Sequence, residues 1–169
     1  AQFIHFLLGP ATVALAVPLI DNAATIRRVA LPIAVALVVG SGVAVVSAIL
    51  LAQAFGLPDA VILSLAPKST TAPVALGVSE AVGGIPTLTA VLVILTGLVG
   101  AVTVTPMMTL LRIRDWRARG FAVGVAAHGI GTARAFQVNA TAGAYAGIGM
   151  ALNALLTSLL VPVLVRWLA

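Results

Sequence analysis

Hydrophobic residues run along this chain in long blocks, and polar residues gather in short clusters between them. Asp, Glu, Lys and Arg are absent from 1–20, 29–58, 81–111 and 135–165. Each block exceeds or approaches the ~20 residues that a helix needs to cross a bilayer. The pattern predicts six segments: a (3–20), b (29–54), c (59–82), d (86–111), e (118–139) and f (141–165). All are expected to be helical. A backbone in lipid must satisfy its own hydrogen bonds, and no alternating pattern points to a barrel.

Two segments are interrupted. PKSTTAP breaks c and HGIG breaks e. The predicted fold is therefore an all-α polytopic membrane protein with about four full spans and two broken helical segments. The basic clusters orient it. Arg27 and Arg28 follow a, and RIRDWRAR (112–119) follows d, so both belong on the cytoplasmic side. Segment b then leads outward and d must start outside, so c has to begin and end on one side. That makes c a re-entrant hairpin. The competing arrangement is a crossing helix with an unwound middle, which its length also permits. If e is re-entrant as well, it enters from the opposite side and the two tips meet. A repeat links GPATVALAV, TTAPVALGV and GTARAFQV through Thr12, Thr71 and Thr132. Interrupted segments at corresponding places point to an inverted-repeat transporter core.

Composition narrows the class. Apolar residues make up 62% of the 169, charged residues 8%. A soluble domain is usually about a quarter charged. The net charge of +5 does not indicate a nucleic-acid surface, because the arginines flank apolar spans. There is no cysteine, so thiolate metal sites are excluded. The chain has no initiator Met or signal-peptide pattern, and we expect further spans before segment a. The whole chain, 1–169, is predicted to be one membrane domain, with the bilayer its first partner.

The candidate chemistry lies at the two breaks. Pro67 and Pro73 bracket Lys68, Ser69, Thr70 and Thr71. The chain should leave the helix at Pro67 and begin a new one near Pro73, capped by Thr71 or Thr70. The exposed N–H groups, the helix dipole, the ammonium and the hydroxyls make an anion site. In e, Gly129 and Gly131 permit unwound backbone, Thr132 can cap the next helix, and Arg134 falls in its first turn. An arginine there opposes the dipole unless an anion is bound, and it matches a carboxylate in bidentate fashion. His128 can relay a proton or hydrogen-bond substrate, or serve as a structural hydrogen-bonder. Glu80 can pair with Arg134 or Lys68, carry a coupling proton, or sit at the interface. Asn153 in f faces the cavity or bonds across helices. His128 has only His5 as a histidine partner, so no metal site is expected. GIGTAR lacks the strand and acidic partner of a dinucleotide site, so no cofactor is expected. No nucleophile–base pair suggests an enzyme. Gly120/Gly124 and Gly143/Gly147 read as packing surfaces.

LGPATVALAVPL (8–19), PKSTTAPVAL (67–76), GGIPTLTAVLVILTGLVGA (83–101), RIRDWRARGFAVGVAAHGIGTARAF (112–136) and GMALNALLTSLLVP (149–162) resemble the LrgB/CidB-type membrane family. That family includes the C-terminal half of the plastid glycolate/glycerate transporter. The resemblance implies a protein of the bacterial cytoplasmic membrane. It also implies either transport of small monocarboxylates (glycolate, glycerate, pyruvate or lactate) or an antiholin-like role in murein hydrolase control and lysis. A homo-oligomer, a dimer first of all, and a small LrgA/CidA-type membrane partner follow from it too. Two positions depart from the family pattern: Ala72 stands where a second threonine is usual before Pro73, and Ala127 where serine usually precedes the histidine.

Overall fold

The computed structural model describes residues 16–168 (the Pro18 side chain excepted), together with Pro10 and Val13. Segment a therefore lies mostly outside the described residues, as do His5 and Thr12. Among the described residues eight helices follow in order: α1 (Ala16–Asp21), α2 (Ala23–Arg28), α3 (Ala30–Ala54), α4 (Asp59–Leu65), α5 (Ala72–Val82), α6 (Pro86–Leu110), α7 (Trp116–Val138) and α8 (Ala140–Leu168). Among the described residues α3, α6 and α8 are long and apolar enough to cross a membrane, with mean hydropathy 2.6, 2.3 and 2.1. They match segments b, d and f to within a few residues. Val35, Val38, Val39 and Val43 of α3 are exposed, which suits a helix whose solvent on that face is lipid.

Crossing directions follow from long-range contacts. Ser41 Oγ donates to Asn153 Oδ1, and Gln53 Nε2 donates to the Leu168 carbonyl, so α3 and α8 are parallel. Space beside Gly97 is filled by His128, and beside Gly100 by Ala127, while Met108 and Val104 pack with Val123. The first arm of α7 thus runs antiparallel to α6. Gly120 lies on Ala142 and Gly124 on Ala146, which sets that arm parallel to α8. Helix α6 therefore runs opposite to α3 and α8.

Both interrupted segments are re-entrant. In the first, α4 rises to a turn at 66–69 and α5 descends. Thr89 Oγ1 lies 3.0 Å from the Ser64 carbonyl and 2.7 Å from Ser79 Oγ, so the two arms stand side by side at that depth. Pro73 falls in the first turn of α5, where its missing N–H costs nothing. Gly83 ends the helix with φ 87°, a backbone that glycine adopts without strain.

In the second, α7 is continuous except at His128, whose φ of 42° and ψ of −134° turn the chain back. Gly131 consequently lies against Val123, eight positions earlier: a Cβ at Gly131 would stand 3.3 Å from the Val123 carbonyl oxygen. In a straight helix these residues would be about 12 Å apart. The expectation that Gly129 and Gly131 supply the unwound backbone is corrected. Both are helical, and the reversal sits at His128 alone.

The two hairpins enter from opposite ends. Arg117 lines a cavity with Val29, so 112–119 and Arg27–Arg28 share one end, the arrangement the positive-inside pattern requires. Asp115 caps α7 there by accepting from Arg117 N at 2.8 Å. The side-chain hydrogen bonds of Arg117 hold its carboxyl down at about 2. The first hairpin starts and finishes at the other end, near Gln53 and Leu168.

The structure also revises the repeat. Helices α3 and α6 each contain 25 residues. Ala30 and Pro86, Ala54 and Leu110, Asp59 and Asp115, and Val82 and Val138 are each 56 positions apart. The register is thus 56, and Thr71 corresponds to Ala127 instead of Thr132. The unit is one crossing helix followed by one hairpin, used twice in opposite orientations.

Candidate functional site between the hairpin tips

The tips meet at Asn153. Its Nδ2 donates to the carbonyl of Ser69 at 3.0 Å and to that of Val125 at 3.1 Å. Its Oδ1 accepts from Ser41 Oγ at 2.6 Å and Thr157 Oγ1 at 3.2 Å. Two donors and two acceptor sites are all a carboxamide has. The side chain is 1% exposed. The substrate-binding expectation for Asn153 is therefore corrected: the protein saturates it, and it joins both tips to α3 and α8.

Beside this junction lies a cavity of about 440 Å³, lined by Ala36, Gly40 and Ala44 of α3, by Lys68 and Ser69, by Thr96, and by the 118–126 face of α7. It runs from the first tip to Ala118, close to the arginine-rich end. Most of the lining is aliphatic, so Lys68 supplies its charge. Lys68 is half-buried, with Nζ 3.4 Å from Ser69 Oγ. Among the described residues no carboxylate lies within ion-pair distance of it. A small cavity with a few convergent polar groups is the ordinary form of a ligand site.

The other predicted residues are distributed differently. Thr71 occupies the N-cap position of α5, yet its side chain makes no capping hydrogen bond. Thr70 is fully buried, and its Oγ1 has no partner among the described residues. Thr132 does not cap a helix: its hydroxyl donates to the His128 carbonyl at 2.8 Å. His128 is buried with Nε2 2.9 Å from the Val93 carbonyl, so the ring is turned onto α6. Arg134 is exposed, bonded to Gln137 at 3.3 Å, and lines a separate small pocket with Trp116 and Arg119. Glu80 is exposed towards the end of α5, at the opposite end of the bundle from Arg134. The expected pairing of Lys68 with Arg134 around one anion is not assembled, because the second arm of α7 carries Arg134 back to the basic end. Thr96 sits in a uniformly apolar helix where nothing local marks it, and Gly40-Ser41-Gly42 interrupts the apolar run of α3 without itself indicating a site.

A re-entrant pair meeting inside a bundle of crossing helices defines a multi-pass α-helical membrane protein with an internal polar site. The sequence profile described as the LrgB-like family matches residues 1–167. The chain belongs to that family. It is 39% identical over 162 residues to the uncharacterized protein YwbG of Bacillus subtilis, covering 96% of this chain and 72% of that one. It is 34% identical over 164 residues to the holin-like protein CidB of Staphylococcus aureus, covering 97% and 72%. No solved structure matches.

Proposed function

We propose that this protein carries small monocarboxylates, of the glycolate, glycerate, pyruvate or lactate class, across the bacterial cytoplasmic membrane, with Lys68 as the counter-ion of the carboxylate. The observation that carries this reading is the Lys68 ammonium, without a carboxylate partner among the described residues and lining a cavity of about 440 Å³ at the hairpin tip. Holding such a charge away from bulk water costs several kcal/mol unless an anion or trapped water offsets it. A scaffold gains nothing from that expense. Ser69 and Thr96 add hydroxyls suited to a carboxylate oxygen or to a hydroxyl on the substrate, and the small aliphatic wall admits a short carbon body. No covalent chemistry is involved, so in this reading the protein is a carrier and not an enzyme.

The test is uptake of labelled glycolate and pyruvate into proteoliposomes. Uptake should saturate. Lys68→Ala should lower it about tenfold or more, the loss expected for a charge-assisted hydrogen bond of roughly 1.5–3 kcal/mol. Arg134→Ala should keep uptake within about twofold, since the exposed guanidinium makes only a surface-type contact. Undiminished uptake in Lys68→Ala would overturn the assignment of the site.

A second reading takes its support from the similarity to the holin-like protein CidB of Staphylococcus aureus. Here the chain acts in an oligomeric lysis-control complex, as a dimer or with a small LrgA/CidA-type partner. Its signature is self-association without saturable anion uptake. The glycine faces expected to mediate that association are already occupied within the chain: Gly120 and Gly124 lie on Ala142 and Ala146, and Gly143 on Phe136. An oligomer would have to use the exposed apolar faces of α3 and α6.

A further inference from the structure

The 56-position register turns the Asn153 junction into a symmetric object. Ser69 and Val125, whose carbonyls share the Asn153 amide, are 56 positions apart. The same offset relates Gly40 and Thr96, both of which line the cavity. It also relates packing contacts. Ile33 shares a core cluster with Phe121. The counterpart of Ile33 is Thr89, which lies 3.0 Å from the carbonyl of Ser64, next to Leu65, the counterpart of Phe121. Each crossing helix therefore meets the other unit's hairpin in the same way, about an in-plane pseudo-two-fold through Asn153.

The two halves nevertheless differ in what is open. Lys68 lines the cavity, while its counterpart Gly124 is sealed against Ala146. Ala126 lines the cavity and is exposed, while its counterpart Thr70 is fully buried with an unpartnered hydroxyl. Gly97 and Gly100 of α6 are pressed against His128 and Ala127, whereas Ala44, the counterpart of Gly100, lines the cavity. A buried hydroxyl without a partner costs about 1–3 kcal/mol and calls for a reason.

We infer that the protein has a second conformation in which the two units exchange these environments. The present cavity closes. A counterpart opens towards the end bearing Asp59 and Glu80, with Thr70 in the place Ala126 now holds and Ala66 in that of Ala122. Ser69, Val125, Gly40 and Thr96 border both cavities, so an anion beside Ser69 and Thr96 meets one end of the bundle and then the other. Thr70 Oγ1 acquires water or substrate as its partner in that second state. Asn153 keeps both tip carbonyls throughout and is the pivot. This inference rests on the reading of the cavity as a substrate site, and it adds which residues form the opposite access route.

The chain has no cysteine, so Thr70→Cys and Ala126→Cys each create a single thiol, probed with a membrane-impermeant maleimide in right-side-out and inverted vesicles. Ala126→Cys should react from the arginine-rich side and Thr70→Cys from the opposite side. Adding Ala36→Trp, whose indole fills the present cavity, should lower Ala126→Cys labelling and raise Thr70→Cys labelling several-fold. Ala66→Cys serves as a second reporter and should follow Thr70→Cys. Labelling of Thr70→Cys and Ala66→Cys only from the arginine-rich side overturns the inference. So does their silence in folded protein in which Ala126→Cys reacts, or a fall in all three with Ala36→Trp. Uptake measured alongside separates the two claims. Reciprocal labelling without uptake removes the transport reading and keeps the exchange; uptake without reciprocal labelling does the reverse.

Discussion

His128 Nε2 stands 2.9 Å from the carbonyl oxygen of Val93, and the turn of the second hairpin is built on that contact. A carbonyl can only accept, so Nε2 carries the proton and the ring serves as a donor to α6. The residue that reverses the chain is also the one that fastens the reversal to its neighbouring helix.

The backbone of His128 yields the first prediction. At φ 42° and ψ −134° a side chain is strained, and only glycine is at ease there. Within a helix, alanine is normally more stable than glycine by about 1 kcal/mol. Here the order should reverse: His128→Gly should melt above His128→Ala in detergent, by roughly 1 kcal/mol of stability. Both lose the ring and its hydrogen bond, so the difference isolates the backbone. An alanine variant that melts above the glycine one would show that the turn is not strained.

Asn153 predicts a graded series. Asn153→Ala strips a partner from the carbonyls of Ser69 and Val125 and from the hydroxyls of Ser41 and Thr157. The expected cost is about 2–4 kcal/mol, given that single interhelical hydrogen bonds in membranes contribute about 1 kcal/mol. Ser41→Ala removes one of the four and should cost about 1 kcal/mol or less. Thermal midpoints in detergent check both, and equal effects from the two variants would contradict the shared junction.

Glycine substitutions separate close packing from empty space. A Cβ at Gly124 would lie 2.8 Å from Met150 N and closer still to Ala146 O, so Gly124→Ala must push the hairpin off α8. A loss of roughly 1–3 kcal/mol is expected. Gly42 meets nothing within 4 Å. Gly42→Ala should be neutral, or stabilising by up to about 1 kcal/mol through helix propensity alone. The melting temperatures of the pair should move in opposite directions or differ clearly.

Much of this architecture was legible in the chain. The bilayer disfavours charge in any helix that crosses it, so the charge-free blocks located α3, α6 and α8 to within about five residues at each end. Pro67 and Pro73 marked the first tip because two prolines bracketing four polar or charged residues each remove a helical N–H, whereas the lone Pro106 and Pro162 are carried inside α6 and α8. The arginine clusters oriented the bundle, since they answer to the membrane and not to packing. The motif blocks also pointed to the family.

Tertiary structure decided which polar groups meet. One non-helical residue, His128, turns what reads as a broken span into a hairpin, and that reversal carries Arg134 away from Lys68. No propensity marks a histidine for φ 42°; neighbouring contacts impose it. Asn153 likewise looks like any mid-span asparagine until two hairpins from opposite ends present their carbonyls to it. Sequence determined where the chain is in lipid, because that depends on residues taken one at a time. Only the fold decided the site, because it depends on pairs of residues 28 to 112 positions apart.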